Sequence, residues 1–122
     1  NGYYLKTDAS GVLSFASSYE PISITTDITT NYTLVLTDAG GMITMDNALA
    51  NTLTIPTNAS VSFQIGTEIT ISQFGIGQTT VVIAGGVTIL SAGGFVAFAD
   101  QYSVATLIKV ATDSWLLVGD MV

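Results

Sequence analysis

Three segments that begin with Ala-Gly-Gly decide the fold: AGGMITM (39–45), AGGVTIL (84–90) and AGGFVAF (92–98). In each segment the paired glycines are followed by a largely apolar run of four residues. Glycine tolerates backbone angles that other residues resist, and a run of four residues has the length of a short strand. The repeated unit therefore predicts a turn that leads into a β-strand.

The composition agrees with this interpretation. Thr, Val and Ile account for 41 of the 122 residues, whereas Glu, Lys, Gln and Arg together account for only eight. Because β-branched side chains favour strands, the chain is predicted to be all-β. We expect an N-terminal β-hairpin followed by a small antiparallel β-sandwich or jelly-roll-like domain.

Three parts can be distinguished along the chain. Residues 1–15 contain two β-prone runs around a turn that includes Asp8 and Gly11, which is typical of a hairpin. Residues 16–31 are rich in Ser and Thr, and we interpret them as a linker or an edge strand. Residues 32–122 then form the β-domain. Since the chain begins at Asn1 without Met, we expect it to be a piece of a longer or processed protein.

Within the β-domain, polar and apolar residues alternate at 53–55, 61–65 and 68–72, which predicts half-buried strands. Residues 81–83 and 95–98 are continuously apolar, so we expect strands that are covered on both faces, with one covering surface supplied by another subunit.

The end of the chain predicts a hairpin. Residues 103–110 and 115–118 carry enough apolar surface to be central strands, and Asp113 suits the tight turn between them. Trp115 combines a large apolar body with one N–H donor, so we expect it to anchor the core or an interface.

Charge and side-chain chemistry exclude several classes of function. Nine acidic residues against two lysines give a formal net charge of −7, which disfavours nucleic acid as a partner. The chain has no Cys and no His, so we expect neither a metal site nor a cofactor. Residues 81–99 are uncharged and long enough to span a bilayer, but four glycines divide them, so we expect no membrane insertion.

Enzymatic function is also disfavoured. A glycosidase needs a pair of carboxylates at a fixed separation, and Glu68 and Asp100 are the only candidates for such a pair. Nothing in the sequence fixes two carboxylates at that separation. Asp8, Asp38 and Asp113 occur where Asp commonly bonds the local backbone. We therefore expect the protein not to be an enzyme.

A ligand-binding loop is predicted between two apolar strands. Asp100, Gln101 and Tyr102 offer a carboxylate, an amide and a phenol, which suit hydrogen bonding to a sugar with aromatic support. The alternative interpretation is an ordinary polar loop.

The opening segment YYLKTDASGVLSF (3–15) is similar to a hairpin that recurs in trimeric fibre and appendage proteins of tailed bacteriophages, particularly of marine and cyanobacterial phages. In that resemblance Leu5 and Lys6 precede the turn and Phe15 ends the second strand, where many relatives have Trp. The turn itself contains Asp8, Ser10 and Gly11. Three further segments resemble the terminal β-domain of such fibres: LVLTDAGG (34–41), NTLTIPTNASVSFQIGTEITI (51–71) and SVATLIKVATDSWLLVGD (103–120).

The resemblance implies a homotrimer located in the virion, in contact with other virion proteins. Its function would be to present loops for attachment to a host-surface glycan. One alternative is a capsid decoration or head-fibre protein that reinforces the shell, and another is a polysaccharide depolymerase domain. Because a lone hairpin is only marginally stable, we expect its apolar side chains to pack between the three chains, namely Tyr3, Leu5, Leu13 and Phe15.

Overall fold

The computed structural model describes the backbone of residues 3–7 and 13–17 and the whole of residues 20–122. Strand β1 (Tyr3–Thr7) pairs antiparallel with β2 (Leu13–Ser17), with Tyr3 opposite Ser17 and Thr7 opposite Leu13. The turn predicted between them lies outside the described residues. So do the side chains expected to pack in a trimer, namely Tyr3, Leu5, Leu13 and Phe15, and their role stays a prediction.

The other strands form a six-stranded and a three-stranded sheet. The larger sheet has the order β3-β5-β7-β10-β11-β9 and the smaller one the order β4-β6-β8. The strands of the larger sheet are β3 (Ile24–Ile28), β5 (Met42–Met45), β7 (Glu68–Gln73), β9 (Thr88–Ser91), β10 (Val104–Ala111) and β11 (Ser114–Gly119). Those of the smaller sheet are β4 (Tyr32–Thr33), β6 (Asn51–Ile55) and β8 (Thr79–Ile83).

From β3 to β9, successive strands alternate between the two sheets. Each strand from β5 to β8 lies beside the strand two before it and runs parallel to it, whereas β9 lies beside β11 at the far edge of the larger sheet. The fold is all-β, as predicted, but the expectation of an antiparallel, jelly-roll-like domain was wrong because the sheets are mixed. Side chains alternate with the same period in parallel and antiparallel strands, so the pattern does not reveal strand direction.

The two sheets enclose one hydrophobic core, which makes the domain sandwich-like. Leu53 and Val81 from the smaller sheet belong to the same buried cluster as Ile43, Ile71 and Leu107 from the larger one. The predicted alternation in β6 and β7 is confirmed for residues 53–55 and 68–71. Trp115 is buried as expected, and its ring meets Phe63 edge-on with 5.4 Å between centroids.

Two of the three Ala-Gly-Gly segments behave as predicted, because β5 and β9 follow their glycines. The third does not form a regular strand: Ala97 and Phe98 make isolated bridges to Thr80 and Met121, and Phe95 is exposed. Gly93 and Gly94 both have positive φ, so the chain turns twice in succession before it passes the edge of β8. Phe95 and Ile83 are exposed on the single chain, and the covering surface expected from another subunit stays a prediction.

Residues 61–65, predicted as a strand, form an irregular connection. Phe63 is buried in the core and Val61 packs against it. The Phe63 carbonyl oxygen accepts a hydrogen bond from the Lys109 ammonium. Alternation over only five residues also occurs in irregular segments that bury an apolar side chain. The pattern therefore did not distinguish a strand from such a segment.

The predicted C-terminal hairpin is confirmed. β10 pairs antiparallel with both β7 and β11, so it is a central strand. Asp113 takes a left-handed backbone conformation, with φ of 55°, in the turn. Strand β3 forms one edge of the six-stranded sheet. Its pairing with β5 contains a register shift between Thr25 and Ile28, and Asp27 within it has a φ of 60°.

Successive strand–turn–strand units of the two sheets stack as layers, and asparagine side chains connect these layers where the chain turns from the larger sheet to the smaller one. Asn47 donates to the Thr29 carbonyl at 2.8 Å, and the Thr52 backbone N–H donates to the Asn31 side chain at 2.9 Å. One layer further on, the Thr79 hydroxyl donates to the Asn51 side chain at 2.7 Å. These bonds satisfy polar groups that the turns would otherwise leave unpaired.

The same corner depends on two glycines. A Cβ atom on Gly75 would lie 2.2 Å from the Asn47 carbonyl oxygen, and one on Gly77 would lie 2.1 Å from that of Leu49. Both contacts are with backbone, which cannot move without separating the layers. The 74–78 turn therefore needs glycine in order to pack on the 46–50 turn.

We expect Gly77→Ala to lower the free energy of unfolding by about 3 kcal/mol, because it forces the two turns apart. Gly85→Ala is the matched control, since a Cβ there meets nothing within 4 Å and the φ of Gly85 is not positive. That variant should be unchanged or stabilised by up to about 1 kcal/mol. Urea denaturation measures both, and equal midpoints for the two variants would contradict the packing argument.

Candidate ligand-binding loop

The predicted loop at Asp100, Gln101 and Tyr102 is fixed by hydrogen bonds to its own backbone and to β7. The Asp100 N–H donates to the Ser103 hydroxyl at 3.0 Å, and the Ser103 N–H donates to the Asp100 carbonyl at 3.1 Å. The Tyr102 N–H donates to the carbonyl of Gln73, the last residue of β7, at 2.6 Å. The loop therefore has a defined geometry at the end of a central strand.

Tyr102 projects from this loop and is 65% exposed, with a left-handed φ of 68°. Phe74, which is 41% exposed, meets it edge-on with 5.7 Å between ring centroids. The Gln101 side-chain amide donates to the Phe74 carbonyl at 2.9 Å and so connects the two segments. Phe74 was missed from the sequence, although an aromatic residue placed directly after a strand and before glycine is a recognisable signal.

The loop also carries polar groups that a ligand can reach. Asp100 is exposed, and one of its carboxylate oxygens accepts the Gln101 N–H at 2.9 Å. The Tyr102 hydroxyl can donate or accept. The loop thus offers an exposed aromatic pair beside a carboxylate and a phenol.

The two carboxylates considered for catalysis are not brought together. Glu68 begins β7, whereas the Asp100 loop is attached at Gln73, where β7 ends. At about 3.3 Å per residue these ends are roughly 16 Å apart, more than the roughly 5–9.5 Å that glycosidase pairs require. Among the described residues no group of three or more acidic or metal-ligating side chains is clustered either.

Asp38 is buried, and its hydrogen bonds give it a structural role. Its carboxylate accepts hydrogen bonds from the Tyr32 hydroxyl at 2.9 Å and from the Val35 N–H at 2.8 Å. Burial, together with the hydrogen bond and charge of Asp38, raises the pKa of Tyr32 to about 12. This pair fixes the turn that precedes β5.

Lys109 is also buried, with 2% of its surface exposed. Its ammonium donates to the Asn58 side-chain oxygen at 2.6 Å and to the Phe63 carbonyl at 2.8 Å, and it lies 5.9 Å from the centre of a Trp115 ring. The Asn58 N–H in turn donates to the Asp113 carboxylate at 2.7 Å. The cluster holds the irregular 56–67 connection against the C-terminal hairpin.

Comparison with known proteins adds no evidence on the function of this loop. The chain matches no protein-family model, no curated protein sequence and no solved structure. Within residues 3–7, 13–17 and 20–122, no helix is long and apolar enough to cross a membrane.

The Tyr32–Asp38 pair predicts a specific loss of stability at high pH. Because the folded-state pKa of Tyr32, about 12, lies above its ordinary value of 10, the folded chain retains a proton that the unfolded chain releases. Its contribution is therefore complete below about pH 10 and is lost as the pH rises towards 12. Tyr32→Phe should flatten this part of the profile of unfolding free energy against pH, and an unchanged slope would contradict the assignment.

We expect Lys109→Met to reduce the free energy of unfolding by about 2 kcal/mol, because it leaves the Asn58 and Phe63 oxygens without their donor. Thr112→Ala, an exposed substitution in the turn after the same strand, is the control and should change it by less than about 0.5 kcal/mol. Chemical denaturation followed by Trp115 fluorescence is a suitable measurement. A Lys109→Met variant as stable as the control would show that the ammonium is dispensable.

Proposed function

We propose that the chain is a trimeric fibre domain of a tailed-phage particle, located at the virion surface, that presents loops for attachment to a host-surface glycan. The resemblance of its hairpin and β-domain segments to phage fibre proteins supports the class. The observation that carries the assembly is an exposed apolar face on the six-stranded sheet. We call this surface the outer face.

The strand register defines the outer face as two rows of side chains. The first row crosses the five strands β3, β5, β7, β10 and β11 and consists of Ile24–Met42–Thr70–Thr106–Val118. The second row crosses the four strands β7, β10, β11 and β9 and consists of Glu68–Ile108–Leu116–Leu90. Six of these nine residues are apolar, two are Thr, and Glu68 alone is charged. Ile24, Leu90 and Val118 are each about half exposed.

A sheet face that meets water normally carries polar side chains opposite the buried ones. Here β10 and β11 carry apolar residues on both faces, as the sequences VATLIKVA and SWLLVG show. A continuous apolar surface of this kind is typical of a protein–protein interface. The outer face therefore favours a partner that covers it.

The charge distribution favours further copies of this chain as that partner. With a net charge of −7, identical subunits repel one another unless their contact surfaces exclude carboxylates. The outer face does so except at one corner, where Glu68 begins β7. Three copies around an axis would bury this face mutually and form a closed assembly.

We expect the double variant Leu90→Glu/Val118→Glu to shift the protein from trimer to monomer, because it places charges on the outer face. Both residues are 46% exposed, so the isolated fold should tolerate the changes. Leu49→Glu/Ile76→Glu is the matched control, with equal added charge at loop positions that are 75% and 73% exposed. Sedimentation equilibrium at micromolar concentration measures the mass.

A wild-type monomer under these conditions, or equal dissociation of both double variants, would contradict the assembly. The site of action is tested separately by labelling the domain on intact particles. Label on the tail supports host attachment, whereas label on the shell would replace it with capsid decoration.

A further inference from the structure

We propose that the aromatic pair Phe74–Tyr102, with Asp100, is a binding site for a neutral pyranose sugar. This inference rests on the proposed attachment to a host-surface glycan and specifies the site and the chemical class of the ligand. Its starting point is an exposed tyrosine that is held in an unfavourable backbone conformation.

Tyr102 has a φ of 68°, a region that non-glycine residues rarely occupy because it is energetically unfavourable for them. Its backbone is held there by the bond to Gln73, and the neighbouring Asp100–Ser103 bonds close the loop on both sides. Glycine would serve this turn at lower cost. Strain retained around a solvent-exposed ring indicates a role for the ring itself.

The orientation of the ring is also fixed. Phe74 meets Tyr102 at an interplanar angle of 78°, so one ring contacts the other by its edge and does not cover it face to face. With 65% of Tyr102 exposed, a flat aromatic surface stays open to a ligand. Little conformational entropy is lost on binding to such a surface, because the loop is already ordered.

A pyranose ring matches this surface. Its C–H groups form an apolar face that can lie against an aromatic ring, while its hydroxyls at the edge need hydrogen-bonding partners. The Asp100 carboxylate can accept from two adjacent hydroxyls, and the Tyr102 phenol can donate or accept at the rim. Stacking and hydrogen bonding are therefore available within one loop.

Charge limits the class of sugar. Asp100 is exposed in the loop, and the chain carries a net charge of −7 with only two lysines, of which Lys109 is buried. A sialic acid, a uronic acid or a sulfated sugar would be repelled here. Neutral hexoses and N-acetylhexosamines meet no such barrier.

A cleft elsewhere on the domain offers a useful contrast. It encloses about 420 Å³ beside β9 and β11 and is lined by Phe95, Leu117 and Met121 among others. None of its lining residues is charged, so it offers a sugar little beyond backbone groups and one serine hydroxyl. Phe95 is nevertheless exposed, and it therefore provides a control aromatic residue for the aromatic pair.

The test uses the assembled protein and two immobilised panels of oligosaccharides, one neutral and one sialylated or sulfated. We expect binding to the neutral panel, and saturation-transfer NMR with the free neutral sugars should show contact at pyranose C–H protons. Tyr102→Gly should weaken binding about tenfold or more, because it removes the ring while relaxing the backbone. Tyr102→Phe should retain most of it, and Phe95→Ala should have no effect.

Three outcomes would overturn the site. The first is binding confined to the anionic panel, the second is equal binding by wild type and Tyr102→Gly, and the third is attachment to host cells that protease treatment abolishes but periodate oxidation of glycans does not. If the trimer still attaches to host glycans in the first two cases, the proposed function survives and only this site falls. In the third case the receptor is a protein, and attachment to a glycan is wrong as well. If the trimer attaches to no host surface, the attachment function itself is wrong.

Discussion

The close approach of two backbone turns, at residues 46–50 and 74–78, is the constraint on which the rest of the fold depends. The 46–50 turn leads from β5 to β6 and the 74–78 turn leads from β7 to β8, so the parallel pairs β5–β7 and β6–β8 require these turns to lie side by side. The turns meet with no room for a Cβ at Gly75 or Gly77. Asn51 and its neighbours satisfy the polar groups of the stacked corner. Once these layers are aligned, their inward side chains meet in a single core.

The strands were largely predictable from the sequence, but their partners were not. Strand content follows from β-branched composition and two-residue alternation, and the tight hairpin around Asp113 follows from local turn chemistry. The parallel stacking depends on which distant turn packs against Gly77, and one sequence carries no direct signal of that contact. The same limitation applies to Phe74, which joins Tyr102 only because Gln73 ends its strand beside the 99–103 loop.

The proposed assembly and the proposed ligand site use different parts of the same sheet. The outer face lies across the strands, whereas Tyr102 projects from a loop at the end of β7. Subunits that cover the face would leave the loop at the end of the assembly, in three copies. Weak binding of single sugars would then be strengthened by simultaneous attachment, since linked sites raise the effective concentration of each other's ligand.

A stack of parallel strands carries an inherent hazard, because its terminal strand presents unpaired backbone groups to any similar strand. The register shift in β3, with Asp27 in a left-handed conformation, interrupts this edge. An incoming strand would meet a local bend and a carboxylate instead of a regular ladder. The irregularity at Asp27 thus acts against uncontrolled polymerisation into fibrils.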